Sequence, residues 1–310
     1  MPDPEIERVL QKYLRERDIV AQEAVRKHPL SLESVLAELR PEVDGHTLLR
    51  SIGPGSFSEV WLAQTIAGFR AIKFVYRRTF DTDSSFHRRF NEILSYLPVS
   101  CSHPGLVAIL YAGRNDSAGY FYYVMEAADD VERGQDIEPR TYRPKTLTEH
   151  LRGRGLLPLH ESSQLAMSLT DGLAHLHARG VVHRDIEPSK IVFVNGMAKY
   201  ADVGLVTDAA DAEEAAYVGG PGYFPPEGPG SPRADIYSLG MVLYEIIMGE
   251  PHAMFPKMPI EIGSTSDTHA LLRLNEIILK ACETNAQDRF RSALELRGAL
   301  LEAINASGCT

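Results

Sequence analysis

The stretch HRDIEPSKI, residues 183–191, lies within a half of the chain whose patterns are mostly helical. The segment before it, residues 161–180, places Leu165, Leu169, Leu173 and Leu176 on one helical face. The segment after it, ADIYSLGMVLYEIIMGE (234–250), is apolar on most sides, which is typical of a buried helix. Two more helical patterns follow, THALLRLNEIILKAC and SALELRGALLEAI. From about residue 146 onward the sequence therefore predicts a helical unit.

The region before this helical half is rich in short strand-like segments. β-Branched and aromatic residues, which favour strands, dominate five segments between residues 46 and 126. They are HTLLRSIG, EVWLAQT, RAIKFVY, LVAILYAG and FYYVME. A single helical pattern, SSFHRRFNEILSYL, interrupts them. The segment that joins the two halves, residues 127–146, is long and polar, and we expect it at the surface.

Residues 1–45 form a separate helical extension in the sequence pattern. Residues 4–27 carry apolar side chains at helical spacing, and Pro29 disfavours a helix at the residue before it. A shorter helix is predicted at residues 31–40, with Ser31 as its cap. We expect this extension either to cover an apolar patch of the following domain or to serve as a docking element.

Composition excludes several classes of protein. The net charge of −10 argues against nucleic acid as the main partner. The three cysteines form no CxxC pair, which fits a reducing compartment and no cysteine-based metal site. No apolar run reaches the roughly 18 residues of a membrane span, and the charged N-terminus lacks an apolar signal core. The sequence therefore predicts a cytoplasmic protein without a membrane span.

The strand-rich half carries two features that suit a nucleotide. In GPGSFSEV (53–60), Gly53 and Gly55 allow the backbone to approach a phosphate group closely. A strand follows this loop, so a lid with Phe57 at its tip fits better than a dinucleotide-binding turn, which needs a helix. Lys73 lies inside an apolar strand, where an unpaired ammonium is costly. Glu92, in the one predicted helix of this half, is the expected partner that would hold Lys73 towards the phosphates.

These features belong to a series of motifs that resembles the eukaryotic-type protein kinase domain, with wording similar to bacterial serine/threonine kinases. The resemblance covers about residues 46–305. In chain order the motifs are the Gly-rich loop, Lys73, Glu92, VMEAA (124–128), HRD (183–185), DVG (202–204), PPE (225–227), Asp235 in DIYSLG and Arg289 in DRF. The resemblance implies an α+β, two-lobed fold, with a small antiparallel five-stranded lobe carrying one main helix (46–126) and a larger, mainly helical lobe (127–310).

The resemblance also implies roles for individual residues. Lys73, paired with Glu92, would bind the α- and β-phosphates of ATP. Asp185 would accept the proton of the substrate hydroxyl, and Asp202 would hold Mg²⁺. Asp235 would support the catalytic loop from the buried helix. The residues implied in nucleotide binding are Ile52, Gly53, Gly55, Ser56, Phe57, Val60, Ala71, Lys73, Glu92, Met125, Glu126, Ala127, Ala128, Val192 and Asp202.

Three departures from the family pattern surround Asp185. At Glu187 the family has a lysine that neutralises the transferred phosphoryl group and bonds the catalytic aspartate. At Lys190 it has an asparagine that ligates a second metal ion, and an ammonium cannot ligate a metal. At Gly220 serine/threonine kinases usually carry a threonine. Losing one preorganised electrostatic group costs about 3 kcal/mol of transition-state stabilisation. Two such losses would leave very little turnover. Because Lys190 places a positive charge where the second ion would sit, we expect Mg²⁺ to be weakly bound or dispensable.

Three hypotheses for the function follow. The first is an ATP- or ADP-binding pseudokinase, or a very weak kinase, that acts as a scaffold or allosteric regulator of a protein partner. The second is an active protein serine/threonine kinase with a rearranged catalytic loop, in which Lys190 reaches the γ-phosphate; alternatively, Lys190 only forms a salt bridge with Glu187. The third is a small-molecule phosphotransferase of the aminoglycoside type, against which the expected Glu227–Arg289 pair argues.

Overall fold

The computed structural model describes residues 41–54, 58–203, 222–258 and 265–306. The helices predicted at 4–27 and 31–40 lie outside these ranges, as do Gly55, Ser56, Phe57 and Gly220. None of the described helices combines the length and the apolar character that crossing a membrane requires. The chain divides into two units, with the boundary between Thr47 and Leu48. In the described part of the first unit, Val43 pairs with His46 as an isolated bridge.

A five-stranded antiparallel sheet forms the small lobe, in the strand order β1-β2-β3-β5-β4. The strands are β1 (Thr47–Pro54), β2 (Ser58–Thr65), β3 (Gly68–Tyr76), β4 (Ile109–Asn115) and β5 (Tyr120–Glu126). In the register of the sheet, Lys73 of β3 lies opposite Val60 of β2 on one side and Tyr123 of β5 on the other. Ala71 lies opposite Met125. This register brings Lys73 and three other residues implied in nucleotide binding, Val60, Ala71 and Met125, onto three neighbouring strands.

The main helix of this lobe, α1 (Asp83–Ser100), packs on the sheet through aromatic side chains. Phe86 and Phe90 both contact Phe121 of β5, with ring centroids 5.2 and 5.5 Å apart. Thr82 caps the helix, because its hydroxyl accepts a hydrogen bond from the backbone N–H of Ser85 at 3.1 Å. The sheet and α1 thus share one apolar core that fixes where Glu92 can lie.

The large lobe is mainly helical in its described parts and includes a two-stranded sheet. Its elements are α2 (Leu147–Leu151), α3 (Leu159–Ala178), β6 (Ile191–Val194), β7 (Met197–Tyr200), α4 (Pro232–Met248), α5 (Thr265–Ala281) and α6 (Ala293–Asn305). The sequence pattern did not predict β6 and β7, which are four residues each. Strand β6 begins at Ile191, the last residue of the HRDIEPSKI stretch, and Ile191 is fully buried in the lobe core.

Helix α4 is the centre of the large lobe, as its sequence pattern predicts. Its N-terminal cap is Ser231, whose hydroxyl accepts a hydrogen bond from Ala234 N at 3.1 Å. It ends at Gly249, which has a left-handed φ of 66°. The end of helix α5 approaches it closely at Gly240, where an added Cβ would lie 2.9 Å from Ala281 Cβ and 2.6 Å from Sγ of the next residue, Cys282. This buried helix is a rigid base for the loop that contains Asp185.

Candidate active site

Hydrogen bonds to a buried carboxylate of helix α4 hold the backbone of the HRD loop. Asp235 is 1% exposed and accepts hydrogen bonds from the backbone N–H groups of His183 (2.7 Å) and Arg184 (2.8 Å). His177 Nε2 contacts the same carboxylate at 2.9 Å. Arg184 has a left-handed φ of 69°, a strained conformation for a side-chain-bearing residue, so these bonds stabilise it. The expected support of the catalytic loop by Asp235 is confirmed.

Two lysines and two aspartates meet at the mouth of this loop. Lys73 Nζ donates to Asp202 Oδ1 at 2.7 Å. Lys190 Nζ lies 3.7 Å from Asp185 Oδ2 and 3.9 Å from Asp202 Oδ2. Burial raises the pKa of Asp202, but the charges of Lys73 and Lys190 outweigh burial, and the net pKa is lowered. The site therefore holds ammonium groups on both sides of a firmly ionised carboxylate.

The expected pair between Lys73 and Glu92 is wrong for this structure. Glu92 instead contacts Arg88 at 3.9 Å and Arg89 at 3.5 Å on its own helix. Burial opposes the charged form of Lys73, yet Asp202 and the Tyr123 hydroxyl outweigh it and raise the lysine pKa. Asp202 thus supplies the counter-charge that Glu92 was expected to supply, while the guanidinium groups of α1 compensate Glu92.

The two departures that the described residues include, Glu187 and Lys190, have separate surroundings. Glu187 accepts a short hydrogen bond from the Ser189 hydroxyl, whereas the ammonium of Lys190 turns to Asp185 and Asp202 rather than to Glu187. Burial raises the pKa of Asp185; Lys190 acts against this rise, Glu187 adds to it, and the net pKa is raised. A carboxylate with a raised pKa is better suited to accept a proton than an ordinary exposed aspartate.

Five of the residues implied in nucleotide binding have apolar side chains that belong to one core or pack against it. Ala71 and Met125 are buried, and the partly buried Ile52, Val60 and Val192 pack against the same core. Gly53 lies in β1, where an added Cβ would meet Val60 at an ordinary 3.7 Å. The role of Gly53 in letting the backbone approach a phosphate group stays a prediction.

The hinge residues 126–128 are tied to the large lobe. The Glu126 carboxylate accepts hydrogen bonds from Lys199 Nζ (2.8 and 2.9 Å) and from Ala108 N (2.9 Å). The Ala128 carbonyl accepts a hydrogen bond from the Tyr142 hydroxyl at 2.9 Å. The polar segment 127–146, expected at the surface, is therefore anchored by buried residues. The sequence analysis missed this anchor, although a tyrosine in an otherwise polar segment was a signal for it.

The side chains present fit ATP well and a second metal ion poorly. Apolar side chains such as those of Ala71 and Met125 suit a base, and the ammonium groups of Lys73 and Lys190 suit a chain of phosphates. Within the described ranges no cluster of three or more His, Cys, Asp or Glu side chains is arranged for a metal ion. Asp202 remains the residue that would hold Mg²⁺, next to an ammonium that disfavours a second cation.

The expected pair between Glu227 and Arg289 is confirmed. The guanidinium donates to both carboxylate oxygens, at 2.5 and 2.8 Å, and its side chain is fully buried. Arg289 also donates to the backbone carbonyls of Glu283, Arg233 and Thr284. This pair argues against a small-molecule phosphotransferase of the aminoglycoside type, which generally lacks it.

Comparison with known proteins agrees with this geometry. A family model described as the protein kinase domain matches residues 46–302. The serine/threonine-protein kinase PknB of Mycobacterium leprae is 29% identical over 83% of this chain and 43% of its own length. A probable serine/threonine-protein kinase of Clostridium perfringens is 26% identical over 82% of this chain and 38% of its own length. The chain thus spans less than half the length of the curated relatives it matches.

Solved structures show the same fold. The PknI kinase domain of Mycobacterium tuberculosis superposes with a TM-score of 0.58 and 24% sequence identity, over 84% of this chain and 96% of that domain. This likeness concerns the fold alone. Together with the family match over most of its length, the arrangement of Asp185, Asp202 and Lys73 below a five-stranded sheet shows that the chain belongs to the protein kinase domain family.

Proposed function

We propose that this chain is an active, ATP-dependent protein serine/threonine kinase whose catalytic loop carries its cation at Lys190. The observation that supports this most directly is the position of the Lys190 ammonium, within 4 Å of both Asp185 and Asp202. Relatives that match most of the chain are serine/threonine kinases. They favour this function over the pseudokinase expected from the loop sequence.

The pseudokinase hypothesis rests on the loss of a positive charge next to Asp185. Glu187 does remove the lysine that the family carries there. Lys190, one 3₁₀ turn later (Pro188–Lys190), restores a positive charge beside the same carboxylate. Phosphoryl transfer depends mostly on positioning and charge stabilisation, so where the charge lies in space matters more than its place in the sequence. Glu187, turned to Ser189, adds a negative charge that lowers the rate without removing the cation.

Each of the charged residues of the site has a separate role in the proposed reaction. The oxygen of a serine or threonine hydroxyl forms a bond to the γ-phosphorus of ATP, the bond to the β,γ-bridging oxygen breaks, and ADP leaves. Asp185 orients the hydroxyl and takes its proton. Lys73 and Lys190 bind the phosphate oxygens and stabilise the negative charge. Mg²⁺, which Asp202 would hold, would supply further neutralisation of the phosphates.

A transfer assay with three variants tests the proposal. The purified chain is incubated with γ-labelled ATP, Mg²⁺ or Mn²⁺ and a generic serine- and threonine-containing protein substrate. We expect turnover by the wild type, and a loss on the order of a hundredfold in Lys190→Met, typical of removing one electrostatic group. Asp185→Asn should be at least as severe. Lys280→Met removes a half-exposed lysine of α5, outside the site, and should keep wild-type turnover.

Two results would contradict the proposal. One is a wild type that transfers no phosphate with either metal ion. The other is a double variant, Glu187→Lys with Lys190→Asn, that exceeds the wild type by about a hundredfold or more. That second result would show that the natural loop is nearly inactive, as the pseudokinase hypothesis states.

A further inference from the structure

Tyr123 of β5 is the direct cross-strand neighbour of Lys73. The two residues face each other in the antiparallel pairing of β3 with β5, so their side chains leave the sheet on the same face. Tyr123 is only 6% exposed, and its phenol belongs to the same core as Ile93 and Tyr96 of α1. The sheet alone therefore brings a hydroxyl-bearing side chain next to the Lys73 ammonium.

The Lys73 ammonium has one partner in each lobe. Asp202 accepts a hydrogen bond from Nζ at 2.7 Å, and the Tyr123 hydroxyl is a second hydrogen-bonding partner of the same group. Tyr123 and Asp202 also line one cavity of about 20 Å³, so the phenol and the carboxylate lie close to each other. An ammonium carries three N–H groups, so these two partners leave one N–H for a phosphate oxygen.

The Tyr123 hydroxyl acts on Lys73 as a neutral group. Burial raises the pKa of Tyr123 to about 12, with Lys73 acting against this rise and Asp202 adding to it. The phenol is therefore uncharged at neutral pH and accepts a hydrogen bond through its oxygen. Unlike a carboxylate such as that of Glu92, it fixes the direction of the ammonium without cancelling positive charge. The phenol thus takes none of the charge that the phosphates need.

Helix α1 carries a second phenol that is equally buried but lacks such a bond. Tyr96 is 5% exposed and lines the same cavity, but its hydroxyl has no hydrogen-bond partner among the described residues. Glu92, the α1 carboxylate expected to meet Lys73, contacts Arg88 and Arg89 of its own helix. The side-chain partners of Lys73 that the structure shows therefore belong to β5 and to the segment after β7.

We propose that Tyr123 is a positioning residue that holds the Lys73 ammonium towards the phosphates of ATP from within the sheet. This inference rests on the proposed function, in which Lys73 binds phosphate oxygens. Asp202 by itself would draw the ammonium towards the large lobe, and this carboxylate is also the residue that would hold Mg²⁺. A partner on the neighbouring strand keeps Lys73 at a fixed point of the small lobe when Asp202 serves another cation. The lysine thus keeps its direction without the glutamate of α1.

The matched experiment compares Tyr123→Phe with Tyr96→Phe. Each substitution removes one buried hydroxyl from a residue that lines the same cavity, but of the two only Tyr123 bonds Lys73. The dissociation constants of adenosine and of ATP are measured for each protein by calorimetric titration in the presence of Mg²⁺. Adenosine carries no phosphates, so the ratio of its dissociation constant to that of ATP isolates the contribution of the phosphate-binding groups. A general disturbance of the base site would weaken both ligands alike.

We expect Tyr123→Phe to lower the adenosine to ATP ratio about tenfold, the factor of one hydrogen bond to a charged group, by weakening ATP alone. Tyr96→Phe should keep the wild-type ratio, because its hydroxyl does not bond Lys73. Glu92→Gln should keep it as well, because Glu92 contacts its own helix.

Three results would overturn the role of Tyr123. The first is an unchanged ratio in Tyr123→Phe. The second is an equal loss in Tyr96→Phe, which would mean that any buried phenol of the cavity has this effect. The third is an equal loss in Glu92→Gln, which would return the positioning of Lys73 to α1. The ratio requires no phosphate transfer, so it decides the role of Tyr123 separately from the proposed function, which the transfer assay decides.

Discussion

At residue 190 an ammonium group takes the place that an asparagine amide has in the kinase pattern. The structure puts this ammonium between the two carboxylates that the family uses, one as a base and one as a metal ligand. Glu187, the other altered residue, keeps its charge near Asp185 but bonds Ser189. At the residue scale the site therefore differs from its family mainly in how positive charge is supplied.

The pH dependence of the reaction should report this charge balance. Asp185 must be ionised to accept a proton, so the rate falls as pH falls through its pKa. Lys190 lowers that pKa and Glu187 raises it. We expect Lys190→Met to move the acid limb of kcat/KM to higher pH and Glu187→Gln to move it to lower pH, in profiles measured between about pH 4 and pH 8. Shifts in the same direction would contradict the assignment of Asp185 as the base.

The metal dependence of nucleotide binding should also be unusual. Because an ammonium already lies beside Asp202, we expect removal of Mg²⁺ with EDTA to weaken ATP binding only slightly in the wild type. In Lys190→Asn the same treatment should weaken binding about tenfold more, because the metal ion is then the main nearby cation besides Lys73. Calorimetric titration with and without EDTA measures both effects. An equal EDTA effect in the two proteins would show that Lys190 does not replace an ion.

At the scale of elements, β5, α1 and α4 position the site, and their sequence patterns predicted them well. The burial of helix α4 could be predicted, because a helix that is apolar on most sides must be buried. Strands β6 and β7 were not, since four-residue apolar runs such as Ile191–Val194 carry no distinctive period. The partner of Lys73 could not be predicted either, because the choice between Glu92 and Asp202 depends on how α1 lies in space.

The pair between Glu227 and Arg289 should stabilise the large lobe measurably. The Arg289 side chain is fully buried while Glu227 is 37% exposed, so we expect Glu227→Gln to lower the free energy of unfolding by about 2 kcal/mol. Asp136→Asn breaks an exposed ion pair with Arg133, which solvent screens, and should leave the free energy of unfolding nearly unchanged. Urea denaturation gives both values. A loss of the same size in the two variants would mean that the buried pair contributes no more than a surface pair.

At the scale of the whole molecule, the ion pair between Lys73 and Asp202 joins the two lobes, since Lys73 belongs to the sheet and Asp202 follows β7. The sequence motifs predicted the two lobes and their order, because each motif marks one element. They did not predict how residues 129–146 fold, because Asp130 and Tyr142, whose hydrogen bonds hold this segment, lie in a stretch without periodicity. Long polar segments owe their structure to individual hydrogen bonds, and patterns do not reveal these.

Ligand binding should therefore stabilise the molecule in a way that depends on Lys73 more than on Glu92. At about 100 times its Kd, ATP should add about 2.7 kcal/mol to the free energy of unfolding, visible as a thermal shift. Lys73→Met should lose most of this shift at the same ATP concentration. Glu92→Gln should keep it, because Glu92 bonds its own helix in this structure. Equal losses in both variants would mean that the nucleotide selects a form in which the two residues are paired.

The support of the HRD loop by Asp235 has a consequence for protein engineering. The Asp235 carboxylate accepts hydrogen bonds from main-chain N–H groups, so the backbone path of the loop does not depend on the side chains of the loop. The side chains at positions 187 and 190 can therefore be exchanged without changing the backbone path of the loop. A library that varies both residues while keeping Asp235 should yield mostly folded proteins, and their rates would map how the place of a single charge tunes phosphoryl transfer.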